Sequence, residues 1–192
     1  MRVLVAAMGR TGSNLILALL EHAPKLNVQH ARHLFNQNLV NWQEIVIAPK
    51  RDMLEQMSST KRSMHIQGLK EDFSHGNTVE QELDMSMDTY NQWEPFVGYQ
   101  PTFEQWIIDP CQFIRNLYDF LKISYDENLI KQFVEKYKKP IMKNHITRKN
   151  NRLKTYDKTL TNEQVKKVRS YFSVHYKEEI DQFLYIDKLA LE

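Results

Sequence analysis

Two apolar runs, Val3 to Ala7 and Leu15 to Leu20, are separated by Gly9-Arg10-Thr11-Gly12-Ser13-Asn14, and this interruption constrains the chain more than any other feature. The first run is continuous and partly β-branched, the pattern of a strand covered on both faces in a parallel sheet. The second predicts a helix over Ser13 to His22, stopped before Pro24. Of the five glycines in the chain, Gly9 and Gly12 lie here, where they let the backbone turn tightly with its N–H groups outward. A helix N-terminus adds unsatisfied N–H groups and partial positive charge, and Arg10 adds a full charge that can meet phosphate at two atoms. The loop therefore suits a phosphate. It is not a Walker A loop, because Gly-Lys-Ser/Thr is absent, and it is not Gly-x-Gly-x-x-Gly.

The same interruption excludes a signal peptide, since the first apolar run ends well short of a hydrophobic core region. No run of about eighteen apolar residues occurs anywhere, so no transmembrane helix is expected and the chain reads as soluble. There is one cysteine, Cys111, which excludes an internal disulfide and a cysteine-based metal site and favours a reducing, cytoplasmic setting. No His, Asp and Glu cluster has metal-ligand spacing, and no metal is expected.

Beyond the loop, Leu26 to His30 is a weaker strand and Glu44 to Ala48 a buried one. Met53 to Ile66 and Thr78 to Trp93 read as helices, and Phe96 to Glu104 as extended. Asp109-Pro110 offers a helix cap and a proline at the first helical position, with apolar spacing through Lys122. Asp126 to Lys138 is a second amphipathic helix, Ile141 to Lys158 a loop. Thr161-Asn162-Glu163-Gln164 is a capping-box signature followed by a helix of about twenty residues. Short buried strands alternating with helices predict an α/β chain with a parallel sheet, and the C-terminal third is helical. With 192 residues, a single domain spanning 1–192 is expected.

The net charge is only +2, but it is unevenly spread. Residues 71–94 hold seven acidic residues and no Lys or Arg, whereas 131–169 hold thirteen basic residues against three acidic. The basic segment is a candidate wall for an anion site; the acidic one either faces water or lines an acceptor. Trp42, Trp93 and Trp106 are candidates for a sugar surface or for core. No nucleic-acid module is present.

A second anion element follows the strand Glu44 to Ala48. Lys50, Arg51 and Asp52 stand at the strand end, where ligands bind in open α/β sheets, and Ser59 lies two helical turns beyond Arg51. A strand-end arginine and that hydroxyl can share one anion.

These two elements carry a family resemblance. "RTGSNLILALLEHAPKL" resembles the 5′-phosphosulfate loop of the sulfotransferases, and "IVIAPKRDMLEQMSS" resembles their 3′-phosphate element. "FEQWIIDPCQFIRNLYDFLKISYDENLI" is similar to the family's Tyr-Glu-Asp-Leu segment and the helix after it. Lys50-Arg51-Asp52 with Gln56 and Ser59 is closest in style to the bacterial carbohydrate sulfotransferases that modify trehalose. The matches fall in family order across positions 2–130.

The resemblance implies a P-loop-containing nucleotide-hydrolase-like three-layer sandwich. It implies 3′-phosphoadenosine 5′-phosphosulfate (PAPS, whose product is PAP) as donor. It implies sulfuryl transfer to a small-molecule or carbohydrate acceptor, without nucleic acid or membrane partners. Arg10 would contact the 5′-phosphosulfate and stabilise the leaving phosphate. Thr11, Gly12, Ser13 and Asn14 would cradle the 5′-phosphate, while Arg51 and Ser59 would hold the 3′-phosphate. His33 would take the acceptor proton, with His30 as the alternative. Arg148-Lys149-Asn150 stands where some members carry a further 3′-phosphate loop. Asn14 departs from the usual Thr or Ser. A nucleotide kinase is the second reading, disfavoured by the missing Gly-Lys-Ser/Thr and by the lack of a magnesium-holding aspartate at a strand end. A non-catalytic nucleotide- or polyanion-binding module is the third.

Overall fold

The run that opens the chain is a strand, β1 (Arg2–Ala6), buried at every residue after the first. A computed structural model describes every residue except 7, 24, 33, 34, 138–152, 191 and 192. In chain order the helices are α1 (Ser13–Leu20), α2 (Gln37–Trp42), α3 (Met53–Ile66), α4 (Val79–Trp93), α5 (Phe103–Ile108), α6 (Pro110–Phe120) and α7 (Glu127–Tyr137). They are followed by α8 (Asn162–His175), α9 (Ile180–Phe183) and α10 (Ile186–Leu189). β1 lies between β2 (Asn27–Arg32) and β3 (Ile45–Ile47), parallel to both. The described residues fall into two compact units, one drawn from 1–50 and 89–151 and the other from 51–88 and 152–192.

In the first unit the sheet is covered on both faces, which explains the unbroken apolar run. Successive strand residues point to opposite faces. Val3, Val5 and Ile47 pack with α1, α6 and α7 in one cluster, while Leu4, Ala6 and Val46 pack with Val40 and Trp93 in another. The result is the expected helix–sheet–helix sandwich. Tyr118 and Tyr137 bury their rings in the first cluster and donate their hydroxyls to the Leu19 and Ala18 carbonyls of α1 at 2.8 and 3.1 Å. Their polar tips are thereby satisfied at a helix end.

Asp109 caps α6 as expected, its Oδ1 accepting from the Gln112 N–H at 2.9 Å. The extended stretch expected over 96–104 is reduced to isolated parallel bridges, Ile47 with Tyr99 and Lys50 with Thr102. At Thr102 the chain turns into α5 through a capping box with Gln105.

The second unit contains α3, the start of α4 and the C-terminal helices. The capping box at Thr161 and Gln164 opens α8 as expected, but the twenty-residue helix is interrupted. Tyr176 leaves helical geometry at φ −138°, and Phe183 stacks back on Phe172 with ring centroids 5.2 Å apart. Burial of Phe183 in this aromatic cluster replaces continuation of the helix. No helix among the described residues is long and apolar enough to cross a membrane.

Candidate functional site

The candidate functional residues fall in three places, two in the first unit and one in the second. The first is the loop from Met8 to Asn14. Arg10 occupies the left-handed region at φ 67° and Gly12 follows at φ 102°. A non-glycine residue there is uncommon and carries local strain. Thr11 is fully buried and closes the loop inwardly, its hydroxyl donating to the Met8 carbonyl at 2.9 Å. The Leu15 and Ile16 N–H groups both go to the Gly12 carbonyl, at 3.0 and 3.3 Å. Gly12 supplies no side-chain cap, and α1 has no acidic residue in its first turn. The N–H groups of Ser13 and Asn14 therefore have no acceptor among the described residues. A helix start of this kind next to an arginine in the chain suits an anion in geometry and charge.

The second piece is a narrow crevice at the carboxyl end of the sheet, with a cavity volume of only about 10 Å³. Met8, where the loop begins, lines it together with Pro49, Lys50, Tyr90, Trp93 and Gln100. Lys50 is only 6% exposed, and its ammonium lies 5.6 Å from the centre of the Tyr90 ring. Burial in these surroundings pulls its pKa down to about 8. Its backbone is clamped as well, donating to Pro101 O and accepting from Phe103 N, each at 2.8 Å. The Trp93 Nε1–H is buried and has no acceptor among the described residues.

The third piece lies in the second unit, at the start of α3. Asp52 caps this helix, its Oδ1 accepting from the N–H groups of Leu54 and Glu55 at 2.9 and 3.3 Å. Its Oδ2 accepts from Tyr185 and Ile186 N–H, at 2.7 and 2.8 Å, at the start of α10. Arg51 is 5% exposed and pairs with the buried Glu55 at 3.4 Å. Glu55 is held in turn by the N–H groups of Thr155 and Tyr156 and by the Thr155 hydroxyl. Arg62 also reaches that hydroxyl, at 3.1 Å, and burial pulls its pKa down, with nearby Arg51 adding to the effect and Glu55 opposing it.

Ser59 is half-buried on α3, and its neighbour Ser58 is fully buried with a hydroxyl that has no partner among the described residues. Gln56 donates to the Ser86 hydroxyl at 3.3 Å. His33 and Arg148-Lys149-Asn150 lie outside the described residues. His30 is on β2, paired in register with Val5.

Trp93 is core, Trp106 packs edge-on against Phe113, and Trp42 lies under the Arg2 guanidinium. The acidic segment is partly structural. Glu82 is buried and accepts from Ser74 and Asn77, Asp72 pairs with Lys61, and Asp84 accepts from the Tyr171 hydroxyl. Among the described residues no group of three or more His, Cys, Asp and Glu is arranged to hold a metal.

Two features escaped sequence reasoning. Lys50 and Arg51 stand at the strand end, and the sequence gives no sign that both are buried. The bridge to Thr102 and the apolar neighbours at the strand end are the cause. Glu55 reads as a helix-face carboxylate because its partners lie about a hundred residues away.

No family model matches the sequence, and no curated protein matches it either. Solved structures do match. Mouse sulfotransferase SULT7A1 complexed with PAP superposes with a TM-score of 0.63 at 10% identity, over 99% of this chain and 88% of that one. Retinol dehydratase in complex with androsterone and inactive cofactor PAP superposes with a TM-score of 0.59 at 12% identity, over 92% of this chain and 81% of the other. The fold is a sulfotransferase fold. In this chain the fold is a parallel sheet covered by helices on both faces, and the loop between β1 and α1 has a geometry that suits an anion. At such low identity the likeness concerns the fold.

Proposed function

We infer that this chain is a PAPS-dependent sulfotransferase that transfers a sulfuryl group to a hydroxyl of a small-molecule or carbohydrate acceptor. One observation carries the reading. The N–H groups of Ser13 and Asn14 open α1 without acceptors among the described residues, beside Arg10, on a fold shared with two PAP-bound enzymes. An anionic phosphate fits that donor set.

Bound PAPS supplies the sulfuryl group and departs as PAP. The chain's residues do the rest. Arg10 and the N–H groups from Thr11 to Asn14 are fixed donors for charge on the 5′-phosphate, which is preorganised electrostatic stabilisation. Arg51 and Ser59 hold the 3′-phosphate. His33, which follows β2 in the chain, takes the acceptor proton, and His30 is the alternative. Residues 1–192 act as one sulfotransferase-like domain, a reading supported by alignment with the mouse enzyme over 99% of the chain. The androsterone in the retinol dehydratase structure supports a small organic acceptor. The single cysteine, Cys111, fits work in the cytoplasm.

The test is transfer of label from radiolabelled PAPS to a panel of sugars, sterols and phenols. Label on an acceptor, lost in Arg10→Met, is the expected result. PAP binding without transfer to any acceptor would leave a nucleotide-binding module instead.

A further inference from the structure

Glu55 is the residue on which the Arg51 end of α3 converges. Its Oε1 accepts from the N–H groups of Thr155 and Tyr156, the latter at 2.9 Å. Its Oε2 accepts from the Thr155 hydroxyl at 2.8 Å and pairs with Arg51 Nη2 at 3.4 Å. The carboxylate is fully buried, and Arg51 nearly so. Neutralising Arg51 needs one contact, whereas Glu55 spends both oxygens and ties α3 to the chain at Thr155 and Tyr156. A carboxylate bonded to the guanidinium constrains the plane in which its fork can meet a planar or tetrahedral anion. Arg62, bonded to the Thr155 hydroxyl, brings a second guanidinium to the same cluster.

Resting on the reading of Arg51 as the 3′-phosphate ligand, we propose that Glu55 is the positioning residue for 3′-phosphate recognition: it aims Arg51, and through the same carboxylate it makes that recognition depend on the placement of Thr155 and Tyr156. Glu55 touches neither donor nor acceptor. Its effect is on selectivity for a nucleotide phosphorylated at the 3′ position over one that is not. A merely structural ion pair would move binding of both nucleotides together.

The experiment is calorimetric titration of PAP and AMP into the wild-type chain and into Glu55→Gln, Thr155→Val, Arg51→Ala and the Arg51→Ala/Glu55→Gln double variant. The readout is the ratio of the AMP Kd to the PAP Kd. Losing the aim of one charged contact to phosphate is expected to lower that ratio about tenfold in Glu55→Gln and about threefold in Thr155→Val, with the AMP Kd held within about twofold. The double variant should be no less selective than Arg51→Ala alone, because both changes act through one group.

An unchanged ratio in Glu55→Gln, with the ratio lost in Arg51→Ala, overturns the proposal. So does an equal loss of PAP and AMP binding. Should Glu55→Gln fail to fold, Thr155→Val decides, and an unchanged ratio there overturns the proposal. A wild-type chain that binds AMP as tightly as PAP fails at the earlier step and removes the 3′-phosphate assignment itself. A wild-type preference for PAP that survives every Glu55 and Thr155 change leaves that assignment standing and removes only the role of Glu55.

Discussion

The ring of Phe103 lies against the backbone of Gly12, so close that a β-carbon at position 12 would sit 2.8 Å from Phe103 Cδ2. Gly12 is also in the left-handed region at φ 102°. Position 12 thus excludes a side chain twice, once by backbone conformation and once by contact. Gly12→Ala is expected to destabilise the chain by about 1–3 kcal/mol in urea unfolding. Phe103→Ala in that background should recover the contact part and leave the backbone part, a coupling of at least about 0.5 kcal/mol. A neutral Gly12→Ala would show that the loop relaxes freely.

Lys50 sets a pH dependence of known sign. Its pKa is near 10.5 when unfolded and is pulled to about 8 by burial in the fold. Between those values the unfolded chain binds more protons, so stability rises with pH across this window and is lost as pH falls through it. The titratable groups lining the crevice are Lys50 and Tyr90, whose phenol is raised by burial, and no carboxylate lines it among the described residues. Burial also pushes Tyr118 up to about 12, and unfolded tyrosines ionise first as pH climbs. The comparison is therefore with Lys50→Met, which shares the tyrosines. Wild type should gain on this variant by up to about 3 kcal/mol between pH 8 and 10.5, measured by chemical unfolding at each pH. A constant difference would mean that the ammonium is well solvated.

Asp52 joins two helix starts with one carboxylate, one oxygen serving Leu54 and Glu55 and the other Tyr185 and Ile186. Asp52→Ala removes a helix cap and strands N–H donors in the interior. The expected loss is about 2–4 kcal/mol by urea unfolding. Asp52→Asn keeps Oδ1 but can turn an amide NH₂ toward donors, so it should rescue only part of that loss. Full rescue by Asn would show that the Tyr185 and Ile186 contacts contribute little.

The first part of the chain was legible because one physical rule dominated each element. Val3 to Ala6 is apolar on both faces because helices cover both faces, and Gly12 takes a left-handed conformation that favours glycine, whereas the other left-handed position in the turn is Arg10. The capping signature at Thr161 and Gln164 opens a helix, and the same signature at Thr102 and Gln105 follows Pro101 in a stretch whose sequence reads as extended. The interruption at Tyr176 carries no glycine or proline, because it is imposed by Phe183 packing on Phe172. Burial of Lys50 and the partners of Glu55 are likewise tertiary events, set by residues about fifty to a hundred positions away.

The central claim is that this chain recognises a nucleotide phosphorylated at both its 3′ and 5′ positions. The most direct measurement is the melting temperature in the presence of PAP, AMP and magnesium ATP at equal concentration, since a ligand of the folded state stabilises it in proportion to its affinity. The account predicts that PAP raises the melting temperature well above AMP and ATP, and that Arg51→Ala removes the advantage of PAP over AMP. Greater stabilisation by magnesium ATP than by PAP would contradict it.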